Sequence, residues 1–382
     1  MRVGLIKNNA SIAHEAIGEF LQEIHSNLSG LGHDVFVIKN SDDYLLLCQN
    51  KLVDLTIGIG KYDFHSHNRP LYDAYKIPHF NWIIDNPIKM NLDLASDYVY
   101  YIFIDLQFFA VLGKYDIQRC LFLPIGVSVN EKNYAEKKID VLFAGQIKDV
   151  KKLYGEIKNL PKPLRQSIQI IIEIIFFDPS QSFIDVFNIM VNHESSAYLD
   201  EEKKIIFKYA NSYTRAYKRK LVINNIKNTN ICIIGDVEDS QIQSQGNVKI
   251  YSPLPYRMLG KLYSHTKFAL NISPNYSYSC HDRILHSVSN GACCVSDSNY
   301  ILRLFFRDLV SIVFYDLNDL STLDEKLNFL LASGDYKIIH KNGYNVVKSN
   351  FSWQKIVKIL IAFIRTKRPP AKAGGFAPGA ED

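Results

Sequence analysis

Glycine-rich phosphate loops are missing from this 382-residue chain. The turn after the first apolar run reads Lys7-Asn8-Asn9-Ala10-Ser11, without glycine, which removes the dinucleotide fingerprint of nicotinamide enzymes. No G-x-x-x-x-G-K-[ST] occurs, so P-loop NTPase chemistry is not indicated, and no G-x-S-x-G marks a hydrolase nucleophile. Cysteine is scarce. Cys48, Cys120, Cys232, Cys280, Cys293 and Cys294 include no C-x-x-C pair and have no H-x-x-x-H companion, so no structural zinc site is visible. Cys293 and Cys294 sit in an apolar run and read as core thiols. No apolar run reaches the ~18 residues that span a bilayer. The most apolar stretch, 168–177, is short and carries Glu173. Asn8 and Asn9 end the first apolar run too early for a signal peptide, and the expected location is the cytoplasm. Neither sign of charge dominates: 44 Lys+Arg against 39 Asp+Glu leaves +5, which gives no case for a nucleic-acid partner.

What is present is an alternation of short apolar runs and helical patterns. Runs at 2–7, 34–38, 53–59, 79–84, 98–104 and 120–124 read as strands. Ile17, Phe20, Leu21, Ile24, Leu28 and Leu31 recur at helical spacing between the first two, with Gly30 and Gly32 as stops. Such alternation predicts a mostly parallel sheet covered by helices. After Gly126 the pattern breaks into a polar linker, 128–138. A second series follows, with strands at 139–145, 230–234, 248–251, 268–272, 292–296 and 310–315. The expectation is an α/β chain of two Rossmann-like domains, 1–127 and 138–350, facing across a cleft. A helical insertion occupies 164–227, a closing helix 351–365 returns to the first domain, and a Pro/Gly/Ala-rich tail covers 366–382. Gly58-Ile59-Gly60 follows a strand and reads either as a tight turn or as a place for close ligand approach.

The insertion carries Lys203, Lys204, Lys208, Arg215, Lys218, Arg219 and Lys220, interleaved with Tyr209, Tyr213 and Tyr217. The tyrosines read as packing rather than base stacking. The basic run reads as a solvated face, with contact to anionic lipid head groups at a membrane surface as the alternative.

The most informative segment is 251–297. A strand ends at Asn271, a polar Tyr- and Ser-rich loop runs from Ser273 to His281, Asp282 fits a helix N-cap, and Gly291 stops the helix. Parallel strands present ligand loops at their C-terminal ends, and a helix start beside Arg283 and His281 suits a diphosphate.

This segment resembles the second domain of group-1 GT-B glycosyltransferases. IDVLFAG opens the domain, NICIIGD supplies a later strand, and R-x(7)-G-A, Arg283 to Gly291-Ala292, is followed by Asp297. Asn342-Gly343-Tyr344 and Phe351-Ser352-Trp353 resemble the family's closing segment, and Trp82 to Pro87 resembles the W-x-x-D-x-P strand of spore-maturation-type relatives. The resemblance implies a cleft that binds a nucleotide sugar and passes the sugar to a glycan, lipid or protein acceptor, as in cell-surface glycan assembly. It places Arg283 on the diphosphate, with Lys267 as a second candidate, and Asn271, Ser273 and the loop to His281 along the donor. Gly291 would permit close helix packing. The family's paired glutamates fall here at Tyr278 and His286. His286 then either holds a ribose hydroxyl or is a satisfied helix histidine.

No D-x-D stands at a strand end, and Asp42-Asp43 reads as an N-cap pair, so neither a metal nor a cofactor is expected. Asp85, ending the 79–84 run before Asn86-Pro87, is the candidate base, with a turn cap as its alternative and His65 or His67 next in line. Two further readings stay open: a non-catalytic nucleotide- or sugar-binding protein on the same fold, suggested by the missing glutamates, and a nucleotide-sugar epimerase of similar architecture.

Overall fold

The computed structural model describes residues 1–7, 15–60, 64–66, 69–90, 92, 95–112, 116–129, 136–193, 198–273 and 275–367. Residues 8–11 of the first turn, His67, residues 130–135 of the linker and 368–382 of the tail lie outside them.

The first domain contains β1 (Arg2–Ile6), β2 (Asp34–Ile38), β3 (Leu55–Ile59), a small hairpin of β4 (His65–Ser66) and β5 (Arg69–Pro70), β6 (His79–Ile83), β7 (Val99–Phe103) and β8 (Cys120–Phe122). Six of these pair in parallel in the order β2-β1-β3-β6-β7-β8. The central strands β3 and β6 are buried at every position, as strands covered by helices on both faces must be. The Glu15–Gly30 helix lays Phe20, Leu21, Ile24 and Leu28 on the sheet. The chain leaves it through Gly32, whose φ of +77° glycine adopts without strain. Asn40, not Asp42 or Asp43, caps the Ser41–Gln49 helix: its side chain accepts the Asp43 N–H at 2.8 Å, and Asp43 reaches back to the Lys39 N–H.

The second domain contains β9 (Ile139–Ala144), β10 (Ile231–Ile234), β11 (Val248–Tyr251), β12 (Thr266–Asn271), β13 (Cys293–Asp297) and β14 (Val313–Tyr315), in the parallel order β11-β10-β9-β12-β13-β14. The order reverses between β9 and β12, so a crevice opens beyond their C-terminal ends. Cys293 and Cys294 are buried in this sheet.

Between β9 and β10 the helices Lys162–Phe177, Phe183–His193 and Asp200–Asn224 pack on a core of their own, which includes Ile168, Ile171, Phe187 and Phe207. The last helix outlives the insertion: Val222 and Ile223, with Ile226 just beyond, enter the core of the second sheet. It is therefore also the crossover to β10. Tyr213 and Tyr217 stack on Phe176 at 5.7 and 3.8 Å, so the tyrosine stripe is packing. The basic run is not one solvated face. Lys218 and Arg219 are buried, and Lys220 pairs with the buried Asp239 at 2.8 Å.

The Trp353–Lys367 helix lies on the first domain, where Trp353, Ile356, Leu360 and Ile364 join Phe20, Ile24 and Trp82 in one core. The two crossings between domains run side by side. The Val127 N–H donates to the Phe351 carbonyl at 2.9 Å, and the Trp353 N–H donates to the Val127 carbonyl at 3.2 Å. A Cβ at Gly126 would lie 2.6 Å from the Trp353 ring, so only glycine fits there. Across the cleft, Ser279 Oγ donates to the Ile104 carbonyl at 2.7 Å and the Tyr278 N–H to Asp105 Oδ2 at 3.2 Å. No helix among the described residues is long and apolar enough to cross a membrane.

Candidate functional site

The site begins with two glycines. Gly145 follows β9 and Gly235 follows β10, with φ of +158° and +151°. A Cβ on Gly235 would sit 2.4 Å from the Gly145 carbonyl oxygen. Bare backbone thus floors a cavity of about 300 Å³, walled by Pro253, Leu254, Tyr256, His281, Arg283 and His286. His286 stacks flat on Tyr256 at 4.0 Å and meets Tyr263 edge-on at 5.5 Å. An apolar and aromatic wall over bare backbone, with a cation at one end, suits a flat base joined to an anionic group.

Arg283 is the cation. Its Nη1 donates to Asn271 Oδ1 at 3.1 Å, and its guanidinium lies 5.4 Å over the Phe143 ring. Asn271 is itself fixed. Its Nδ2 donates to Ser296 Oγ at 2.9 Å, and its carbonyl accepts the Tyr315 hydroxyl at 2.8 Å. Asn271 is buried behind Arg283 and positions it rather than facing the cavity.

The Asp282–Ser289 helix starts differently from the sequence expectation. His281 is the N-cap, its Nδ1 accepting the Arg283 N–H at 3.1 Å, and Asp282 takes the first helical position. Asp282 Oδ1 lies 2.8 Å from the same Nδ1. A nitrogen that accepts an N–H carries no proton, so the cap and an ion pair with Asp282 are alternatives. Burial, the largest influence on His281, depresses its pKa against the opposing pull of Asp282 and favours the cap. Burial pushes the Asp282 carboxyl up; His281, when it is protonated in the ion-pair alternative, and Arg283 more than offset it and bring the pKa below the usual range.

Ser273 turns away from the cavity: its N–H and hydroxyl both donate to Asp297 Oδ1, at 3.0 and 2.8 Å. Lys267 is at the wrong end of β12. It precedes Asn271 by four residues, about 13 Å of strand, and its Nζ pairs with Asp140 at 2.7 Å. Gly291 lies past the far end of the Asp282–Ser289 helix, with φ +107°, and its carbonyl accepts Lys137 Nζ. It is a turn residue remote from the cavity. The structure therefore brings Arg283, His281 and His286 to the cavity, with Asn271 and Ser273 behind the loop that frames it.

Asp85 is exposed beyond β6. The turn cap is Asn86, whose Oδ1 accepts the Ile88 N–H at 3.0 Å, so capping does not account for Asp85. It faces the second domain, where the Tyr276 hydroxyl lies 3.5 Å from its Oδ1. Burial first, and Asp85 second, raise the Tyr276 pKa, so the phenol keeps its proton and donates. His65 lies in the β4–β5 hairpin.

The sequence did not reveal a second cavity of about 240 Å³ beside the first, lined by Lys89, Gln146, Lys148, Lys208, Asn211, Arg215 and Arg219. Arg219 Nη1 donates to the Gln146 carbonyl, and its guanidinium lies 5.7 Å from the Phe143 ring that Arg283 also covers. Burial depresses the Arg215 pKa, with Arg283 adding to it and Tyr276 and Asp85 opposing. The spacing of 208, 215 and 219 on one helix face was the available signal. Among the described residues, no cluster of three or more His, Cys, Asp and Glu could hold a metal.

Residues 215–362 match the model of a family described as glycosyl transferase-like. No curated protein sequence matches the chain. Among solved structures, AviGT4, a glycosyltransferase involved in avilamycin A biosynthesis, is similar at TM-score 0.56 and 10% identity, over 95% of this chain and 96% of that one. HepE from Anabaena, in complex with UDP and glucose, is similar at TM-score 0.55 and 8% identity, over 96% and 100%. The lipopolysaccharide outer core galactosyltransferase WaaB gives TM-score 0.54 and 11% identity, over 96% and 100%. At these identities the likeness is one of fold. The chain has the GT-B fold, and the resemblance to group-1 glycosyltransferases is borne out.

Proposed function

We propose that the chain transfers a sugar from a nucleotide-sugar donor to a glycan, lipid or protein acceptor, without a bound metal. The observation that carries this is Arg283 at a helix N-terminus, opening onto a cavity of about 300 Å³ at the point where strand order reverses. The nucleoside lies over Gly145 and Gly235 against Tyr256 and His286. The diphosphate meets the Arg283 guanidinium at the positive end of the helix, where His281 already takes the Arg283 and Ile284 N–H groups. The acceptor hydroxyl oxygen bonds to the anomeric carbon, the carbon–oxygen bond to the phosphate breaks, and the nucleoside diphosphate leaves with the electron pair. Arg283, supported by Arg215 and Arg219, stabilises the charge that develops on the leaving oxygen. Asp85 takes the acceptor proton.

HepE was solved with UDP and glucose, which supports a uridine diphosphate sugar as the first donor to try. The test is release of nucleoside diphosphate from a panel of nucleotide sugars, with and without simple glycoside acceptors. Release that Arg283→Ala abolishes is expected. Tight nucleotide binding with no release from any donor would instead favour the non-catalytic reading, for which the absence of carboxylates at Tyr278 and His286 speaks.

A further inference from the structure

We propose that the cavity between the Pro87–Lys89 turn of the first domain and the Asp200–Asn224 helix is a second oxyanion site, which takes an acidic group of the acceptor, a phosphate or a carboxylate. The inference rests on the donor reading above and deepens it by naming the acceptor's chemical class.

The cavity is lined by five cations and by no carboxylate: Lys89, Lys148, Lys208, Arg215 and Arg219. They come from three separate places: the first domain, the loop after β9, and the insertion helix. Lys208, Arg215 and Arg219 stand at helical spacings of seven and four, so one face of one helix delivers three of them. Arg219 is 8% exposed and uses one of its five donors, on the Gln146 carbonyl. Arg215 has no hydrogen bond or ion pair among the described residues. Burial depresses the pKa of Lys89, and the like charges of Arg215 and Lys148 add to it, while Asp85 opposes. Like charges gathered in this way favour an anion beside them.

The donor does not supply enough negative charge. With Arg283 the two cavities hold six cations, against Asp236 and Asp282 in the first cavity and Asp85 beside Lys89, so 6 − 3 leaves +3. A nucleotide sugar carries roughly two negative charges, one per esterified phosphate, which leaves about +1. Arg283, Arg219 and Arg215 lie within mutual electrostatic reach and can serve the diphosphate. Lys208 stands seven residues before Arg215, about 10 Å further along the helix axis, with Lys148 and Lys89 beside the same cavity. This far end faces the first domain, the side from which an acceptor approaches.

The test is calorimetric titration of inorganic phosphate, at low ionic strength, into the full chain, free and pre-saturated with a nucleoside diphosphate. The same titrations on a Lys148→Ala/Lys208→Ala double variant complete it. Phosphate is expected to bind the nucleotide-saturated protein, at least tenfold more weakly in the double variant, while nucleoside diphosphate affinity changes less than threefold. Mutual exclusion of phosphate and nucleotide overturns the proposal, because the cavity is then the diphosphate's own site. Unchanged phosphate binding in the double variant overturns it as well. Phosphate binding that the double variant weakens, in a protein that binds no nucleotide at all, keeps the oxyanion site and rejects the donor reading.

Discussion

The Tyr276 phenol and the Asp85 carboxylate meet across the cleft, hydroxyl to Oδ1 at 3.5 Å. Each belongs to a different domain, and each is delivered by the C-terminal end of a strand, Asp85 by β6 and Tyr276 by the loop after β12. The distance is at the outer limit of an O–H donor, so an acceptor hydroxyl can replace Tyr276 as the partner of Asp85. Asp85→Asn keeps the shape and removes the basic oxygen. Turnover is expected to fall by ~10²–10⁴, with the donor KM nearly unchanged. A loss of only a few-fold in steady-state assays would remove Asp85 from proton transfer and leave it as an acceptor contact.

Asp105 gives the domain contact a pH dependence. Its Oδ1 accepts the Gln107 N–H at 2.8 Å and its Oδ2 the Tyr278 N–H at 3.2 Å. Burial raises its pKa to about 6 despite these two bonds. In the unfolded chain an aspartate titrates near ~3.9. The folded protein therefore binds the extra proton between roughly pH 4 and 6, and the associated stability is full below ~4 and is lost as pH rises through ~6. The span is worth about 2–3 kcal/mol. Guanidinium midpoints of wild type and Asp105→Asn should diverge in favour of wild type as pH falls from 7 to 4. A pH-independent gap would show that Asp105 does not titrate in this window.

Gly235→Ala tests the floor of the nucleoside cavity. The added Cβ would lie 2.4 Å from the Gly145 carbonyl oxygen, a backbone atom that cannot rotate away, at a φ that side chains rarely adopt. Overpacking of this kind typically costs ~1–3 kcal/mol. A lower Tm and a loss of nucleotide affinity are expected together. An unchanged Tm with wild-type affinity would mean that the two turns separate freely and do not shape the cavity.

The strands and the cleft were legible in the sequence because buried parallel strands show as short apolar runs, and each run from β1 to β14, the small hairpin apart, left that trace. Arg283 was legible because a helix start, a cation and a polar loop fall within a dozen residues. Lys267 was misplaced because sequence proximity to Asn271 says nothing of which end of a strand faces the crevice. His281 was not seen as a cap because caps are usually Ser, Thr, Asp or Asn, and Asp282 beside it met that expectation. In the sequence Gly145 and Gly235 stand only as the glycines that follow the apolar runs of IDVLFAG and NICIIGD. Their joint role exists only because β9 and β10 lie side by side, although 86 or more residues separate them. Arg215 and Arg219 were hidden in a basic run that reads as solvent-facing until the helix is seen to double as the crossover into the second sheet.

The most direct test of the account is calorimetry of a nucleoside diphosphate panel on wild type and Arg283→Ala. The wild type is predicted to bind at least one member. Arg283→Ala should bind it ten- to hundredfold more weakly, the ~1.5–3 kcal/mol of a charge-assisted contact, with Tm within a few degrees of wild type. Equal affinity in the two proteins, or no binding of any nucleoside diphosphate by the wild type, would contradict the assignment of this cleft as a nucleotide-sugar site.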